Sequence, residues 1–142
     1  MRLNLGAALL LILTSALPSA TFAQANSDAE TACYDGVGAH GAYMECLYAT
    51  AASSEGEVAD AEAKVVAALK AWDMDEKYRR QALAAFKEAS TKFKQWRAAQ
   101  CRAMAALAGG GNGDDPLRDS CRIELNRARV RQLSSYVRQL KP

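Results

Sequence analysis

The stretch EVADAEAKVVAALKAWDMDEKYRRQALAAFKEASTKFKQWRAAQCRAMAALA, residues 57–108, contains neither glycine nor proline. Alanine and other residues that lose little freedom in a helix dominate it, and the alternation of a half-buried strand is absent, so the stretch reads as helix. Upstream, apolar or small residues recur every seven positions at Met44, Ala51, Val58, Val65 and Trp72, with Leu47, Ala61 and Ala68 filling the turns between them. That is one face of an amphipathic helix. At Asp73-Met74-Asp75-Glu76 an Asp precedes a Glu by three, the pattern of a capping box, which predicts a turn and a restart. Ser54-Glu55-Gly56-Glu57 has the same form and is a candidate break, although one glycine costs only about 1 kcal/mol inside a helix. The second helix carries Tyr78, Ala82, Phe86, Ala89, Phe93, Trp96, Gln100, Ala103 and Leu107 at steps of three and four, and its aromatic stripe is expected in the core.

Gly109-Gly110-Gly111-Asn112-Gly113 then stops the helix. Asp114-Asp115-Pro116 restarts one, with Asp115 expected as N-cap and Pro116 as first helical residue. A third helix from Leu117 to about Leu140 places Cys121, Leu125, Ala128, Gln132, Leu133, Tyr136 and Leu140 on one face. The expected fold is all-α, a small antiparallel three-helix bundle joined by short connections.

Met1-Arg2, the apolar run Leu9 to Leu13, Pro18 and small residues up to Ala23 or Ala25 have the layout of a secretory signal peptide, too short to span a bilayer. The expected division is a leader at 1–23 and one helical domain at 24–142, exported to the periplasm or the extracellular space. A domain of that size buries roughly 65% of its unfolded surface and gains from cross-links. All four cysteines, Cys33, Cys46, Cys101 and Cys121, follow the leader. An even count in an oxidising compartment reads as two disulfides. Three connectivities are possible; the sequence-local pairs, Cys33 with Cys46 and Cys101 with Cys121, are expected, each loop contributing roughly 3 kcal/mol. Intervening gaps of 12, 54 and 19 residues and a single histidine speak against a metal site, and no cofactor is expected.

Charge is segregated along the chain. Residues 24–62 hold eight acids (Asp28, Glu30, Asp35, Glu45, Glu55, Glu57, Asp60 and Glu62) and no Lys or Arg, whereas residues 63–117 are net +4 and 118–142 net +5. Either the acidic segment folds against the basic ones, or one pole is a docking surface for an oppositely charged partner. The Arg-rich third helix could suggest nucleic acid, but the exported chain is near neutral overall. An anionic lipid or cell-wall polymer suits such a basic face better.

Phe93-Lys94-Gln95-Trp96-Arg97-Ala98-Ala99-Gln100-Cys101 is similar to the W-x-x-Y-R-D-A-x-C element of the lysozyme inhibitor LprI-like family, with Phe93 and Trp96 at its aromatic positions and Arg97 and Cys101 matching. Cys121, Asn126, Arg129 and Leu133 resemble its C-x₄-T-x₂-R-x₃-L, with Asn126 in place of Thr, and Met44-Glu45-Cys46 resembles its M-x-C. The family's D-x-x-L-N-x-x-Y is reduced to Asp60, and Ala98 replaces the acid after the arginine. The resemblance implies a helical envelope protein of a class whose best-described members inhibit lysozyme, and it places Arg97 and Arg129 beside the second disulfide. Pairing of these arginines with carboxylates such as Asp60 or Glu62 is the structural expectation, and ligand recognition the functional one.

Catalysis is not expected. His40, the only histidine, lies in Gly38-Ala39-His40-Gly41 with no nucleophile motif around it. Asp114 and Asp115, neighbours on a loop, cannot hold the separation that glycosidase carboxylates need. The glycine run lacks the Lys-Ser/Thr of a phosphate loop. The sequence therefore points to a protein-binding function. The expected partner is a lysozyme, docked through the acidic pole or the glycine loop, with Arg97, Asp114, Asp115 and Arg129 as candidate binding residues. The alternative is a structural or adaptor module on another envelope protein or an anionic surface.

Overall fold

A computed structural model describes residues 30–34 and 40–140. The expected leader at 1–23 and the first residues of the domain lie outside the described residues. Four helices are present and no strand occurs among the described residues: α1 at residues 30–34, α2 at His40–Lys70, α3 at Glu76–Ala106 and α4 at Asp114–Gln139. The expected three long helices are there, joined by the short α1, which the sequence pattern does not predict.

Two helix starts differ from expectation. Asp75, not Asp73, is the N-cap of α3, and it accepts backbone bonds from Tyr78 and Arg79 through its carbonyl without a side-chain cap. Gly113 caps α4, so Asp114 and Asp115 lie within its first turn, where their charge complements the helix dipole. α2 runs unbroken through Gly56, and the Ser54 hydroxyl donates to the Ala51 carbonyl at 2.7 Å, inside the helix rather than as a cap.

Side-chain pairings give the directions. Leu47 and Ala51 meet Ile123 at one end, and Val65 and Leu69 share a cluster with Leu133, so α2 and α4 run parallel. α3 opposes both: Cys101 meets Cys121, whereas Phe86 meets Leu133. α4 is the central helix, packed chiefly on α2 and then on α3. The core divides into an apolar end around Leu69, Phe86 and Leu133, a disulfide end around Leu125 and Ile123, and a polar layer between them that contains Ser54 and Asn126.

On the α2 face Ala51, Val58 and Val65 of the heptad and the intervening Leu47 and Ala61 are buried, joined by Ser54 and Leu69, while Met44, Ala68 and Trp72 are half-buried. The aromatic stripe on α3 departs from expectation. Phe86 is core and Phe93 half-buried, but Tyr78 is 47% exposed, Trp96 52% and Leu107 75%. The inward track is Phe86, Ser90, Cys101 and Ala105. Arg97 takes the inward place beside it, which turns Trp96 about 100° away.

Candidate functional site

The cysteines are bridged as sequence-local pairs, Cys33 to Cys46 and Cys101 to Cys121, with Cα atoms 5.6 and 5.5 Å apart. The first bridge fastens α1 to the start of α2. The second closes the connection between α3 and α4. Within that connection Gly109 (φ +64°) and Gly110 (φ +78°) adopt the left-handed conformation that a side chain would strain. Gly111 and Asp114 then donate backbone bonds to Ala108 and Gly111, winding the chain into α4.

Three helices meet in the polar layer beside this bridge. Asn126, fully buried, donates to Ser54 Oγ at 2.8 Å and accepts at Oδ1 from Arg97 Nη1. Arg97 Nη2 also reaches Glu55 Oε1 at 3.3 Å, and Arg122 Nη2 donates to the same oxygen at 2.5 Å. Arg122 Nη1 bonds Asp119 Oδ1 at 2.7 Å. The hydrogen bond from Arg122 holds the Glu55 carboxyl below its usual range against the opposing effect of burial, and the charges of Arg122 and Arg97 add to it. For Arg122, burial pulls the guanidinium down but the bonds to Glu55 and Asp119 outweigh it, so its pKa is raised.

Arg97 and Arg129 flank one ring: their Cζ atoms lie 5.8 and 5.1 Å from the Phe93 centroid. Arg129 is 8% exposed and donates to Gln132 Oε1 at 2.7 Å, whereas its Nε and Nη2 have no hydrogen-bond partner among the described residues. The carboxylate partners differ from those expected. Arg97 takes Glu55, Asp60 faces solvent, and Glu62 pairs with Lys94 at 3.1 Å. Asp114 and Asp115 lie elsewhere, at the N-terminus of α4, where Asp115 pairs with Arg118. Fifteen residues of helix, about 22 Å, separate Asp114 from Arg129, so the four candidate binding residues do not form one site.

The network members that sequence reasoning missed are Ser54, Glu55, Arg122 and Asn126. Ser54 had a signal, since it falls on the three-four ladder between Ala51 and Val58. Of the acidic pole, Glu55 and Glu62 turn inward to bases, and Glu30 accepts the Ser120 hydroxyl at 2.8 Å. Glu45, Glu57 and Asp60 are exposed on α2 and make no ion pair among the described residues. Glu57 and Asp60 edge a groove of about 200 Å³ whose floor includes Ala61, Val130 and Val137. Asp28 and Asp35 lie outside the described residues. His40 is exposed, with Tyr43 its nearest ring at 6.4 Å. Among the described residues no group of three His, Cys, Asp or Glu is placed to hold a metal, and no helix is long and apolar enough to cross a membrane.

The family model described as lysozyme inhibitor LprI matches residues 24–133. Neither the curated proteins nor the solved structures hold a match to this chain.

Proposed function

Because the chain belongs to the LprI lysozyme inhibitor family, we propose that it is exported and inhibits lysozyme by docking on the enzyme as a rigid helical body. The observation that carries this reading is the family match across residues 24–133. Two features of the geometry support it. The two bridges clamp one end of the bundle, so little order has to be acquired there on association. The outer face of α2 offers Glu45, Glu57 and Asp60 free of internal ion pairs, and lysozymes are commonly basic, so this face steers the encounter.

Between the two docking surfaces, the face of α2 is the stronger. On the glycine connection Asp115 is already engaged by Arg118, and Asp114 is half-buried. Arg97 and Arg129 act here as positioning residues that set α3 against α4 through Phe93. The test is a lytic assay on cell walls. Equimolar processed protein should slow an animal lysozyme or a phage-type one, and unchanged lysis with both classes overturns the proposal.

A further inference from the structure

α3 is the least embedded of the three long helices. Of its 31 residues only Phe86, Ser90, Cys101 and Ala105 are buried, and it carries eight Lys and Arg against two acids, Glu76 and Glu88. On α4, Arg118 and Arg122 are in ion pairs and Arg129 is buried, while Arg127, Arg131 and Arg138 are exposed along one line of the helix and make no ion pair among the described residues. On α3, Lys77, Lys87, Lys92 and Arg102 are exposed and make no ion pair among the described residues. Exposed, unpaired cations therefore lie on both α3 and α4, apart from the acids of α2, and what sets α3 apart is the aromatic strip beside its cations.

The outer side of α3 beside Lys92 is aromatic and apolar, with Lys77 and Arg102 about 100–120° round the helix from it and Lys87 on the opposite side. Tyr78 and Trp96 are about five turns apart, hence on the same side of the helix, and the exposed Ala85, Ala89 and Ala103 share that side. The strip borders an open cavity of about 350 Å³ where α3 and α4 meet over Val65 and Leu69 of α2, lined from α3 and α4 by Ala82, Ala85, Phe86, Ala89, Tyr136 and Leu140. No acidic side chain lines it. A helix that pairs Lys and Arg with a stripe of exposed Trp, Tyr and alanine has the chemistry of an interfacial helix, in which aromatic rings sit at headgroup depth and cations meet lipid phosphates.

We propose that the outer face of α3, with the cavity it shares with α4, docks on an anionic phospholipid surface. The proposal goes beyond lysozyme inhibition and does not depend on it. A soluble polyanion would use the lysines and Arg102 but would leave the aromatic strip and the cavity without a role, which is why lipid is preferred. Docking by α3 leaves the acids of α2, on a separate helix, for a second partner.

The experiment is sedimentation of the oxidised, processed protein with vesicles of phosphatidylcholine alone or with about one quarter phosphatidylglycerol. Binding is expected only to the anionic vesicles, with a blue shift of tryptophan emission that Trp96→Ala abolishes and Trp72→Phe leaves. Each surface cation is worth about five-fold in such binding, so Lys77→Gln/Lys92→Gln should weaken it about 25-fold. Arg127→Gln/Arg131→Gln on α4, with the same loss of charge, should change it far less. Equal losses from the two double variants, binding indifferent to phosphatidylglycerol, or capture by dextran sulfate without any lipid-induced emission shift would each overturn the proposal.

Discussion

The side-chain amide of Asn126 donates to Ser54 Oγ at 2.8 Å while its carbonyl oxygen accepts from Arg97, so one buried residue of α4 fixes both α2 and α3. An amide is suited to this because it offers a donor and an acceptor in opposite directions, whereas a hydroxyl at the same position has one proton to give. Asn126→Ala removes both bonds and leaves a buried guanidinium edge under-satisfied, a loss of about 2–3 kcal/mol. Ser54→Ala should cost less, about 1 kcal/mol, since the Ser54 hydroxyl directs its proton to the Ala51 carbonyl of its own helix. Chemical denaturation of the two single variants and the double variant tests this. Strictly additive losses would mean that the bond between them contributes nothing.

Two glutamates give the acid limb of stability opposite signs. Glu55 is held low by its bond from Arg122, so it binds protons less tightly folded than unfolded. Its contribution is complete above the ordinary glutamate value, about 4.3, and is lost as pH falls through its lower folded value. Glu124 is pushed up by burial, with the charge of Arg131 opposing, so its ionisation weakens the fold as pH rises through its raised value. Melting temperature measured downward from neutral pH should therefore rise slightly and then fall. Glu124→Gln should remove the rise and Glu55→Gln should flatten the fall. A fall unchanged in Glu55→Gln would show that the pair with Arg122 is not what acid breaks.

Periodicity made the helices and most of the α2 face legible, because an interior of aliphatic side chains leaves a regular three-four trace at Leu47, Ala51, Val58 and Val65. It misplaced the face of α3 for a physical reason. There the inward track passes through Ser90 and Arg97, and the large apolar residues Trp96 and Leu107 lie outside, so hydropathy points to the wrong side. The short α1 leaves too little pattern to register, and what fastens it is a disulfide rather than an apolar stripe. The glycine connection and its bridge were readable. The first turn of α4 was not, because Asp115 and Pro116 are equally at home as cap and first residue or, as here, two steps inside. The sequence marks Arg97 and Arg129 without their partners, since which carboxylate an arginine meets depends on register between helices.

The bridge from Cys101 to Cys121 sets the order of the glycine connection, so its removal should act on stability, while lysozyme binding through the face of α2 should fall no further than the unfolded fraction explains. Cys101→Ser/Cys121→Ser is expected to lose about 2–5 kcal/mol, as small exported domains do when a native disulfide goes. Residues 107–113 would then be tethered only by the helix ends, and any partner that contacts them must supply the ordering. An unchanged melting temperature would count against this role. A lysozyme affinity that falls further than the unfolded fraction explains would count against docking on α2 alone, for then the connection takes part in binding.

The docking surface itself can be decided by charge. Asp115 is neutralised by Arg118 and Asp114 is half-buried, so Asp114→Ala/Asp115→Ala should leave lysozyme inhibition within about two-fold, the range of a rim pair of little net worth. Glu45→Gln/Glu57→Gln/Asp60→Gln removes three exposed, internally unpaired charges from α2 without touching the Glu55 network. Steering by such a face acts on the association rate and is screened by salt, with gains of roughly 10-fold or more at low ionic strength. The triple variant should therefore associate with lysozyme at least about 10-fold more slowly at low salt, and the gap should close toward 1 M salt, where the Debye length shrinks to about 3 Å. Association rates read by stopped-flow across a salt series settle the matter. A triple variant indistinguishable from the parent, alongside a loop variant that loses inhibition, would move the docking surface from α2 to the glycine connection.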